Sequence, residues 1–121
     1  MKPRFAGFDI DVFRSAFYLS IAPTIEGAIK ILPKGFHGVE MGCEDGAALM
    51  IHDGEGGFAI ALTYEHIDQN TLSHELFHVT IDMLDRVKIP VTTDNDESGA
   101  HLMGWLTEIS VNQLRKWGVK L

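Results

Sequence analysis

His74 and His78 stand four residues apart with Glu75 between them, in the segment His74-Glu75-Leu76-Phe77-His78. The pattern is H-E-x-x-H. On a helix, positions four apart share a face and lie about 6 Å apart along the axis. Two imidazoles so placed can hold one metal ion, and zinc is the usual occupant. The carboxylate between them can reach a metal-bound water as a general base. The competing reading of the same residues is a surface helix carrying two unrelated histidines.

A catalytic zinc site usually has three protein ligands and a water. Glu97, nineteen residues after His78, is the candidate for the third. A loop through residues 89–93 would let its helix fold back over the first. Asp94 and Glu97 also read locally as a helix start, Asp94 as N-cap and Glu97 at the third helical position. Asp94, Asp96, His101 and Glu108 stay open as alternative third ligands. Residue 84, where the long histidine zinc motif would place a third imidazole, is Leu84. Asp82 continues the histidine face one turn on and reads as solvated or as a partner of a ligand. His37, His52 and His66 lack ligand spacing. Cys43 reads as an ordinary free thiol, and Trp105 and Trp117 as core residues. No Ser/His/Asp or Cys/His set is apparent.

The elements that must position these groups follow from periodicity. Residues 12–21 are rich in β-branched and aromatic side chains and read as a strand. Residues 24–32 lie between two prolines and read as a short helix capped by Thr24, with a strand as the competing assignment. Residues 34–46, broken by glycines, read as irregular or as a short strand around Val39. Residues 47–52 and 58–64 flank the turn signal Asp53-Gly54-Glu55-Gly56-Gly57 and read as a β-hairpin. Residues 72–87 carry helical apolar spacing until Pro90 stops it. Residues 95–117 form a second long helix ended by Gly118. Strands first and two long helices last give an α+β layout, a small mixed or antiparallel sheet packed against the H-E-x-x-H helix and a C-terminal helix.

The chain has 121 residues, 45% of them hydrophobic, which fits a single folded domain over residues 1–121. Its net charge of -7 and the lack of a Lys/Arg cluster exclude nucleic-acid binding through a basic patch and make anionic membranes poor partners. One cysteine permits no internal disulfide, so the cytoplasm is the expected compartment. No apolar run approaches transmembrane length, and the N-terminal residues do not form a signal peptide.

Residues 72–78 and 94–106 resemble a compact gluzincin, one of the zincin-type metallopeptidases, and are similar to small proteases found in phages and prophages. The resemblance covers residues 47–110 or so. It implies a zincin-like fold in which zinc (Zn2+) is held by His74, His78 and Glu97. It also implies a sheet edge bordering the cleft, antiparallel to a bound peptide, for which Phe58 to Leu62 is the best match. Many members carry an aspartate four residues after the glutamate ligand. Here that position is His101, which could bond the ligand carboxylate, stabilise an oxyanion or join the metal. The further subdomain of larger members has no counterpart in this sequence.

These residues point to a zinc-dependent hydrolase, a metallopeptidase using metal-activated water, with Glu75 as general base and His101 assisting. The rival is a non-enzymatic, zinc-stabilised interaction protein on the same scaffold. Glu75 argues for the first, because a purely structural metal site needs no base.

Overall fold

The computed structural model describes residues 1–37 and 48–121. Its regular elements are β1 (Arg4–Ile10), β2 (Ser15–Ala22), α1 (Ile25–Lys30), β3 (Ala48–His52), β4 (Gly57–Thr63), α2 (Gln69–Arg86) and α3 (Glu97–Lys116), with two short 3-10 turns at Asp11–Phe13 and Lys34–Phe36. The expected strand around Val39, and Cys43, lie outside the described residues.

The four strands form one mixed sheet in the order β1-β2-β4-β3. β1 pairs antiparallel with β2, β2 parallel with β4, and β4 antiparallel with β3. Strand alternation divides the core between the two faces. Phe17, Leu19 and Ile21 of β2, with Phe58, Ile60 and Leu62 of β4, join Leu72, Leu76, Val79, Met83 and Leu84 of α2 and Leu102, Leu106 and Leu114 of α3. On the other face Ala59 and Ala61 meet Ile25, Ala28 and Ile29 of α1 together with Phe36 and Ile51. Alanines on that face let the six-residue α1 sit close; larger residues on the opposite face fill the space under two long helices. The α+β layout is therefore observed, with a thin helical layer added on the second face.

The expected strand at 12–21 begins later, because Asp11–Phe13 turns tightly and Arg14 takes a left-handed backbone, φ 52°. The sequence reading also missed β1. Its Gly7 breaks the β-former pattern, but the Tyr18 ring lies over it, so close that a Cβ there would stand 2.8 Å from Tyr18 Cε1. Thr24 caps α1 as expected, its hydroxyl accepting from Gly27 N at 3.1 Å.

The expected hairpin is present. Asp53 Oδ1 accepts from Glu55 N at 2.7 Å and Gly57 N at 2.8 Å, and Gly54 and Gly56 take the positive φ the turn demands. One expectation is overturned. Residues 58–62 do not form a sheet edge: β4 lies between β2 and β3 and is hydrogen-bonded on both sides. A peptide cannot add to a strand whose backbone groups are already paired.

Among the described residues, no helix is long and apolar enough to cross a membrane.

Candidate metal centre

α2 starts at Asp68, whose Oδ1 accepts from Thr71 N at 2.7 Å. That backbone bond, the chief cause, holds the Asp68 carboxyl below its ordinary value of 3.8. The helix is fixed to the sheet by Leu72, Leu76, Val79, Met83 and Leu84, all buried. Each such side chain contributes about 1.5–3 kcal/mol by leaving water. Thr80 tolerates burial because its hydroxyl donates to Leu76 O at 2.8 Å.

With that stripe buried, the 3.6-residue period sends His74 and His78 to the opposite side, and both are exposed. Their Nε2 atoms stand 3.3 Å apart, with ring centroids separated by 4.9 Å and planes at 71°. That spacing is long for an N–H···N bond but matches the edge of a zinc tetrahedron. Two nitrogens each about 2.05 Å from zinc are about 3.35 Å apart at the tetrahedral angle. The Nε2 separation is therefore close to that of two nitrogen ligands on one zinc ion. Glu75 is half-buried beside them. Asp82, seven residues on and so on the same side of α2 as Glu75, lines a cleft with His52 at the end of β3 and with Asp85 and Arg86.

Glu97 opens α3 at its first residue, with Asp96 as N-cap, so the expected cap at Asp94 is displaced by two residues. The reason is a local bridge between Thr92 and Asn95, whose Nδ2 also donates to Pro90 O at 2.9 Å and holds the loop out of the helix. Glu97 Oε1 lies 3.3 Å from His101 Nε2, and both side chains are 81% exposed. Of the roles open to His101, contact with the Glu97 carboxylate four residues earlier on the same helix is the one the structure displays.

The structure thus brings His74 to His78 and Glu97 to His101. It does not bring the two pairs to one point. α2 and α3 run antiparallel, and a side chain at Gly99 would lie 3.9 Å from Leu84 Cδ1. Leu84 is six residues past His78 and ten past His74, so the level of Gly99 in α3 stands about 9 and about 15 Å beyond them along the axis. Among the described residues no group of three or more His, Cys, Asp or Glu side chains is gathered around one point.

Between the pairs runs an apolar groove of about 480 Å³ lined by Phe77, Ile81, Val91, Ala100, Met103 and Gly104, among others. Trp105, read as core from the sequence, is 42% exposed, and Phe77 is 53% exposed. His37 is tied to Leu32 O at 2.7 Å, and His66 lies beside Glu65 at the surface. Compared with family profiles, with curated proteins and with solved structures, the chain has no match.

Proposed function

We propose that the chain is a zinc-dependent hydrolase acting on peptide bonds, with His74 and His78 as metal ligands and Glu75 as general base. One observation carries the reading: two exposed imidazole nitrogens 3.3 Å apart, at tetrahedral ligand spacing, with a half-buried carboxylate next in sequence. Zinc, when bound, supplies a water of lowered pKa and an electrophile for the scissile carbonyl.

The chain's own residues do the rest. The buried stripe of α2 holds both imidazoles on one rigid face. Glu75 takes a proton from the attacking water and returns it to the departing amine. Glu97, which one chain does not bring to its own His74 and His78, is the proposed source of the third ligand, and His101, in contact with it, would orient that carboxylate. A cytoplasmic location is part of this proposal, resting on the single cysteine.

A second reading, a zinc-stabilised interaction protein, is favoured by the exposed Phe77 and the apolar groove. Hydrolysis of a mixed-sequence fluorogenic peptide library separates the two. Zinc-loaded wild type should cleave, while Glu75→Gln should keep its zinc and lose about 10²–10⁴-fold in rate. Equal rates would remove Glu75 from the chemistry, and an inactive zinc-loaded wild type would favour the second reading.

A further inference from the structure

We infer that the metal site is completed between two copies of this chain, His74 and His78 of one binding the ion together with Glu97 of the other. The inference rests on the zinc reading above and names the source of the third ligand. Four observations carry it. His74 and His78 sit at ligand spacing and face solvent. Glu97 and His101 form a second exposed pair at 3.3 Å, on the neighbouring helix. Among the described residues no three His, Cys, Asp or Glu side chains gather at one point, and Gly99, beside the second pair, lies about 9–15 Å along the helical hairpin from the histidines, so Glu97 does not join His74 and His78 within one chain. The surface between them is the apolar groove, with Phe77 and Val91 exposed at 53% and 39%.

This arrangement is self-complementary. A two-fold axis lying in the plane of the hairpin face, midway between the pairs, exchanges their positions. Each histidine pair then meets the other copy's Glu97, and the contact closes on itself as an isologous dimer with two equivalent metals. The two apolar grooves face each other and are covered. His101 donates to the Glu97 carboxylate, which leaves one metal position for water. Each chain carries a net charge of -7, so two copies repel until the cations bind. Association should therefore depend on the metal.

The test is sedimentation velocity and native mass spectrometry of the full chain, stripped with chelator and then given zinc. The stripped protein should be monomeric. One equivalent of zinc should double the mass and leave two ions per dimer. The His74→Ala/His78→Ala and Glu97→Ala/His101→Ala variants should each stay monomeric with zinc. Mixed together they should form a heterodimer holding one zinc, because one of its two sites has both halves intact. All four side chains are exposed or lie on exposed faces, so folding of the variants is checked by helical circular dichroism. A zinc-loaded monomer whose metal is released by Glu97→Ala would overturn the dimer and leave the hydrolase reading standing. A zinc dimer that persists in Glu97→Ala/His101→Ala would overturn the assignment of Glu97. Failure to bind zinc at all would overturn both.

Discussion

Saturating zinc should raise the melting temperature of this chain by about ten degrees, and His78→Ala should abolish the rise. The expectation comes from linkage. A ligand that binds only the folded chain stabilises it by about 2.7 kcal/mol at 100 times its dissociation constant and by about 4.1 kcal/mol at 1,000 times. In a chain of this size, one kcal/mol moves the midpoint by about 3–6 °C, so the first figure corresponds to about 8–16 °C. Folded-state selectivity is well founded here. The 3.3 Å Nε2 separation exists because α2 is helical over both residues, and an unfolded chain does not hold it. The imidazoles are exposed, so neither a core contact nor a buried hydrogen bond is lost when the ion enters. For the same reason His78→Ala should change metal-free stability by no more than about 0.5 kcal/mol. Scanning fluorimetry in chelator, in zinc and in magnesium measures all three quantities. A wild-type shift in zinc below about 2 °C would refute the reasoning, as would an equal shift in His74→Ala/His78→Ala.

Leu76→Ala, which leaves His74, Glu75 and His78 in place, should cost about 2–5 kcal/mol in urea denaturation, because Leu76 is wholly buried under the sheet; a loss below about 1 kcal/mol would contradict that packing. Asp68 carries a pH dependence of defined sign. Its folded carboxyl titrates below its ordinary value, so its capping contribution is present above about 3.8 and is lost as the pH falls through the lower folded value. Asp68→Asn keeps a capping oxygen without the charge and should flatten this acid limb of the stability curve. Identical slopes below pH 4 would show that the cap does not titrate.

The residues that reported the site most clearly were also those that reported its element. Apolar spacing from Leu72 to Val87 and the pattern His74-x-x-x-His78 are two readings of one helix, and a 3.6-residue period fixes both. The β3–β4 hairpin was legible because Asp53-Gly54-Glu55-Gly56-Gly57 can do little but turn. What escaped depends on neighbours. β1 is a strand because Tyr18 covers Gly7 and β2 supplies a partner, and neither fact is local. That β4 is central rather than an edge is set by its parallel pairing with β2, about forty residues earlier, which no pattern within 57–63 encodes. Trp105 misled because an apolar side chain was assumed to be inside, whereas much of a folded surface is apolar. Glu97 was visible as a ligand type, but its height along α2 is decided by how Gly99 and Val91 pack near Leu84.

The parallel pairing of β2 with β4 also governs how the molecule assembles in time. β1–β2, β3–β4 and α2–α3 are each neighbours in sequence and can form as local hairpins. β2–β4 alone joins the N-terminal hairpin to the rest of the sheet, from Ala16 against Gly57 to Ala22 against Thr63. Its formation requires closure of a loop of about forty residues before any hydrogen bond rewards it. The rate-limiting event in folding should accordingly be this docking of two preformed hairpins. Substitutions at Leu19 or Ile60 should slow refolding, while equally destabilising ones on the outer turns of α3 should mainly speed unfolding.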